Sequence, residues 1–90
     1  MSVTIEIPSY LQTFVNNLET VEVEGDTIGA CLHELAVKFP SVEEKLFTRE
    51  HKLHSYIGIY INGEDAYPDE LTKPVKGNDR ILILYIIGGG

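Results

Sequence analysis

The apolar run Ile81-Leu82-Ile83-Leu84-Tyr85-Ile86-Ile87 leads directly into Gly88-Gly89-Gly90 at the end of the chain. A short run rich in isoleucine and bounded by a turn signal reads as a buried strand. It places a buried strand last in the sequence, followed by a tail that carries no side chains. Glycine lacks a Cβ, so such a tail can adopt backbone angles closed to other residues and can enter a narrow channel. Three extended residues reach roughly 10 Å, at about 3.3–3.6 Å each. The expected organisation is a folded domain over residues 1–87 and a flexible glycine tail over 88–90, with the terminal carboxylate as the reactive group. The competing reading of such an ending is a frayed terminus or a linker scar.

The remaining periodicities supply the partners of that strand. Val3, Ile5 and Ile7 alternate with Thr4 and Glu6 up to Pro8, which gives a half-buried strand. After a polar segment containing Asn16-Asn17, Val21 and Val23 alternate with Glu22 and Glu24, so the two strands form an N-terminal hairpin. The period then changes. Ile28, Cys31, Leu32, Leu35, Ala36 and Phe39 fall on one stripe of an amphipathic helix, capped by Asp26 or Thr27 and ended by Pro40. Ser41 and Glu44 have the spacing of a capping box that opens a short second helix through Phe47. Thr48 to His54 is a polar loop. Ile57, Ile59 and Ile61 mark a third strand, closed by the turn signal Asn62-Gly63. Pro68 to Lys76 is a weakly patterned connection, and Lys76-Gly77-Asn78-Asp79 is a turn into the last strand. One main helix among these strands gives an α+β domain, a mixed sheet with the helix on one face.

One helix covers one face only. If Arg80 faces solvent, Leu82 and Leu84 share its face while Ile81 and Ile83 point to the helix. With Ile57, Ile59 and Ile61 inward, Tyr56, Gly58 and Tyr60 point outward. Tyr56, Tyr60, Leu82 and Leu84 are therefore expected to form an apolar patch beside the tail, a feature that marks partner surfaces.

Composition narrows the function. Ninety residues with a 43% hydrophobic share make one modest core, and no stretch is long enough to span a bilayer. No basic-then-apolar leader opens the chain, and its single cysteine allows no internal disulfide, which fits a reducing cytoplasm. A net charge of −7 without a basic patch argues against nucleic acid and favours basic protein surfaces. Cys31 lies on the apolar helix stripe and reads as core, and His33 as solvated. His51 and His54 have no third ligand at suitable spacing, so no metal site is expected. The pairs Glu43-Glu44, Glu64-Asp65 and Asp69-Glu70 are adjacent in sequence and read as solvated surface. There is no phosphate-binding loop, nucleophile elbow or zinc-protease motif. What remains is the terminal carboxylate, which becomes an acyl donor only after a nucleotide-using partner activates it.

Val3-Thr4-Ile5-Glu6-Ile7-Pro8, Gly25-Asp26-Thr27-Ile28-Gly29-Ala30, Lys52-Leu53-His54, Ile59-Tyr60-Ile61-Asn62-Gly63-Glu64-Asp65, Gly77-Asn78-Asp79 and the final Gly89-Gly90 follow one another in an order that resembles a known family. It is the MoaD/ThiS family of ubiquitin-like sulfur carriers, the molybdopterin synthase small subunit and thiamin sulfur carrier group. The lead from Lys52-Leu53-His54 into a strand ending Ile59-Tyr60-Ile61-Asn62 is most similar to the carriers of thiocarboxylate-dependent cysteine synthesis. The resemblance spans essentially the whole chain and implies a β-grasp fold. It also implies a co-substrate rather than an enzyme, with no bound cofactor. An E1-like adenylating and sulfurtransferase partner would use ATP to activate Gly90, with Gly89 giving passage into its channel. The thiocarboxylate would then pass to a cysteine synthase using a pyridoxal phosphate-bound acceptor. The molybdopterin synthase large subunit is the alternative acceptor, and a protein modifier or interaction module the alternative role. Beside the patch, Tyr85, Ile87 and Gly88 are expected to meet the partner. The family often has proline where Tyr85 stands and alanine where Gly88 stands.

Overall fold

The computed structural model describes residues 2–86, so Ile87, Gly88, Gly89 and Gly90 lie outside the described residues. The strands β1 (Val3–Glu6), β2 (Thr20–Val23), β3 (Ile57–Ile61), β4 (Glu64–Asp65) and β5 (Arg80–Tyr85) form one sheet in the order β2-β1-β5-β3-β4. β1 and β5 pair in parallel at its centre, and the other pairings are antiparallel. This is the mixed β-grasp sheet. Arg80–Tyr85 thus forms a central strand, hydrogen-bonded on both edges.

The main helix, α2 (Ile28–Lys38), buries Ile28, Cys31, Leu32, Leu35 and Ala36, the expected stripe. The Thr27 hydroxyl accepts a hydrogen bond from the Ala30 amide at 3.0 Å, which satisfies one of the free donors of the first turn. Phe39 closes the helix and Pro40 begins a 3-10 turn. Ile5, Ile59, Ile81 and Ile83 complete the core from the sheet. Burying each such side chain contributes roughly 1.5–3 kcal/mol before chain entropy is counted.

Two expectations are corrected. The segment between β1 and β2 is more than a polar loop: it holds a short helix α1 (Ser9–Gln12) and a 3-10 turn (Thr13–Val15). Leu11 and Val15 are buried there, and Phe14 packs against the core. The Ser41 capping box does not form either. Pro40–Val42 is a 3-10 turn, so Ser41 sits inside a turn, and α3 (Glu43–Leu46) starts after Val42 with no side-chain cap. An N-cap needs an extended backbone, whereas Pro40, its φ already near the helical value, starts a 3-10 turn one residue before Ser41.

Gly29 tests how tightly the helix is seated. A Cβ there would stand 2.7 Å from the Leu71 carbonyl oxygen. Alanine gains about 1 kcal/mol in helix propensity, whereas overpacking against backbone costs about 1–3 kcal/mol. The Gly29→Ala variant should lose about 1 kcal/mol in urea unfolding. A gain would mean that the Glu70–Thr72 turn yields freely.

Candidate functional site at the exit of the last strand

The site is built where β5 leaves the sheet. Leu84 and Leu82 lie opposite Gly58 and Tyr60, so Tyr60, Leu82 and Leu84 share the face away from α2, while Ile81 and Ile83 are fully buried against Ile61 and Ile59. Tyr60 and Leu82 are half-buried and Leu84 is 37% exposed, so the expected patch is present but shallower than parity alone suggests. Gly58 is buried despite pointing outward, because the Ile86 side chain covers it: a Cβ on Gly58 would lie 3.1 Å from Ile86 Cδ1. Ile86, 50% exposed, extends the patch toward the tail and was not among the expected residues.

Tyr56 does not lie flat on that face with Tyr60. Its ring meets Tyr85 edge-on at 5.3 Å between centroids and stacks on His54 at 4.8 Å. Tyr85 in turn meets Tyr10, on α1, at 5.1 Å. Four rings from three segments thus form a chain around the strand exit. Burial, and then the neighbouring Tyr56 and Tyr85 phenols, push the Tyr10 hydroxyl up to about 12, so it stays protonated at any physiological pH. Tyr10 was missed because its segment reads as polar; the signal was Leu11, Phe14 and Val15 at helical spacing.

An open groove of about 1070 Å³ adjoins this exit, with Leu53, Tyr60, Tyr67, Leu71, Leu84 and Ile86 among its walls. Asp65, Asp69 and Glu70 also line it, with Lys52 as its cation. Away from the exit, Cys31 is buried, and burial first, then Asp26, pushes its thiol up to about 11, an unreactive state. The His54 ring is engaged with the Glu44 carbonyl oxygen at 3.0 Å from Nε2, and His33 and His51 are exposed. Among the described residues no group of three His, Cys, Asp or Glu side chains is placed to hold a metal ion, and no helix is long and apolar enough to cross a membrane.

The far end of β5 is held by a polar clasp. Asp79 Oδ1 accepts from Asn62 Nδ2 at 3.0 Å and Oδ2 from the Lys76 amide at 2.9 Å, while Asn62 Oδ1 accepts from the Arg80 amide at 2.9 Å. Asn62 (φ 51°) and Gly63 (φ 85°) form the tight turn that brings this side chain into place. The hydrogen bond from Asn62, then that from Lys76, holds the Asp79 carboxyl below the usual carboxylate range. A lowered folded pKa contributes stability above the unfolded value, about 3.9, and that contribution is lost as pH falls through the folded value. Glu22, lowered by the Ser2 and Thr4 hydroxyls, acts in the same direction. Urea midpoints measured from about pH 6 down to 2 should therefore fall below about pH 4, and more gently for Asp79→Asn. An equal fall in both proteins would contradict the clasp.

The sequence profile of the ThiS family matches residues 5–90. This chain belongs to the ThiS family. It is similar to the sulfur carrier protein CysO of Mycobacterium tuberculosis, 31% identical over 93 residues that cover all of both chains. Among solved structures, this ThiS-family chain resembles one from the Amycolatopsis orientalis BexX/CysO complex, with a TM-score of 0.86 and 30% identity over 98% of this chain and 99% of the other. SAMP1 from Haloferax volcanii shares the fold at a TM-score of 0.84 and 25% identity, covering both chains fully. These likenesses agree with the β-grasp sheet.

Proposed function

We propose that this chain is a sulfur carrier, a co-substrate whose Gly90 carboxylate becomes a thiocarboxylate, most directly for cysteine biosynthesis in the cytoplasm. The observation that carries the proposal is similarity to CysO along the full length of both chains, with the family match running to residue 90. The position of β5 supports it: a central strand buried on the helix side ends beside an apolar face, where a partner can hold the body while receiving the tail.

The chemistry follows from the carboxylate. Its oxygen attacks the α-phosphorus of ATP held by an E1-like partner, and pyrophosphate leaves. A hydrosulfide-class donor then attacks the acyl carbon of the adenylate, AMP leaves with the P–O bond intact, and the thiocarboxylate remains. Leu84, Tyr60 and Leu82 serve as the docking face, joined by Tyr56 and Tyr85 at the strand exit and by Ile87 and Gly88 beyond it. Gly89 and Gly90 occupy the channel, where a Cβ would obstruct passage. The net charge of −7 steers the carrier to basic partner surfaces.

A tagged carrier recovered from its own cells should bring down a cysteine synthase using pyridoxal phosphate. Recovery of a stable complex with a molybdopterin synthase large subunit would assign the other sulfur pathway. Covalent attachment of Gly90 to lysines of other proteins would assign the modifier role suggested by the likeness to SAMP1.

A further inference from the structure

The carrier reading leaves open what aims the tail, and the aromatic chain at the strand exit bears on that. Tyr85, the last residue of β5, is half-exposed at 49%, yet its ring is held by Tyr10 on one side and Tyr56 on the other. Each neighbour is anchored elsewhere. Tyr10 stands on α1 beside the buried Leu11. Tyr56 stacks on His54, whose ring is tied to the Glu44 carbonyl oxygen on α3. One residue further on, the Ile86 amide donates to the Tyr56 carbonyl oxygen at 2.7 Å, and the Ile86 side chain lies over Gly58. Tyr85 and Ile86 are thus fixed through ring contacts, one backbone hydrogen bond and one apolar contact.

Position at this pivot sets where the tail starts. The four residues after Ile86 reach at most about 14 Å at full extension, so once a partner's channel holds them extended, the point and direction of launch limit where the carboxylate can be placed. Misplacing a reacting group by about 1 Å can cost on the order of 100-fold in rate. Aromatic pairs of this kind contribute about 0.5–1.5 kcal/mol each beyond the area they bury, enough to favour one exit direction.

We propose that Tyr10, through its ring contact with Tyr85, is a positioning residue that sets the direction in which the C-terminal segment leaves the sheet. This rests on the carrier reading, since direction matters only if the terminal carboxylate must reach a reacting centre. The role belongs to the ring and not to the hydroxyl, which stays protonated.

The test compares Tyr10→Ala and Tyr10→Phe with the unmodified chain in two measurements. The first is hydrogen exchange at the Ile86 amide, with the Ile59 and Ile83 amides as core controls. The second is pyrophosphate exchange by the cognate activating enzyme, read as separate kcat and KM values. For Tyr10→Ala, Ile86 should exchange about two- to tenfold faster with the core amides unchanged. Its kcat should fall about tenfold or more while KM stays within about twofold, as expected for a misplaced reacting group. Tyr10→Phe should match the unmodified chain in both. Unchanged Ile86 exchange in Tyr10→Ala overturns the proposal, as does an effect confined to KM, which would make Tyr10 a partner contact. A Tyr10→Phe variant as impaired as Tyr10→Ala overturns it too. If the unmodified chain supports no pyrophosphate exchange with an enzyme shown to be active, the carrier reading fails, and the amide measurement alone decides whether the ring contacts fix the exit.

Discussion

Removing Gly89 and Gly90 should reduce adenylation and sulfur transfer to assay background while leaving the thermal midpoint within about 2 °C of the full chain. Two residues withdraw the carboxylate by roughly 7 Å, and even about 1 Å of misplacement can cost on the order of 100-fold. Glycine has no side chain to bury, and the core is built from Ile5, Ile59, Ile81, Ile83 and the α2 stripe, so folding should not register the loss. Calorimetry paired with pyrophosphate exchange separates the two effects. An interaction module that works through its sheet face would keep its partner after the same truncation, which makes this variant informative about function class as well as about the tail.

Ile83→Ala should have the opposite profile. Ile83 is fully buried and pairs across strands with Ile59 at the centre of the sheet. Truncating a buried isoleucine to alanine costs about 2–5 kcal/mol through lost transfer energy and the cavity left behind. Domains of this size hold only about 5–15 kcal/mol in total, so a large part of the folded margin would go. The urea midpoint should drop sharply at unchanged slope. Leu84→Ala, one residue on but 37% exposed on the other face, should cost less than about 1 kcal/mol. Similar losses at both positions would contradict the division of β5 into a buried and an outer face.

That division was readable from the sequence because a strand alternates sides with a period of two, and Arg80 fixes the phase. The α2 stripe was readable because it holds its period over three turns, and the Asn62-Gly63 turn because its backbone angles favour those residue types. What escaped was short or contextual. α1 is four residues long, and its buried Leu11 is surrounded by Ser9, Gln12 and Thr13, so polarity masked the packing. Ser41 and Glu44 have the right spacing for a capping box, but Pro40 imposed a turn that the spacing could not reveal. Ile86 and Tyr10 become part of the exit only through contacts between segments distant in the chain, which no local pattern encodes. The resemblance to sulfur carriers, in contrast, rests on residues distributed along the whole chain and agrees with the family match.

The most direct measurement is mass spectrometry of the C-terminal peptide after incubation with ATP, the cognate activating enzyme and a sulfur source. Whole-protein mass does not suffice, because replacing oxygen by sulfur nearly coincides with oxidation of Met1 or Cys31. The expected result is a shift that maps to Gly90 and is captured by a thiol-selective alkylating reagent. An unmodified Gly90, in the presence of an activating enzyme shown to be competent, would contradict the sulfur-carrier account.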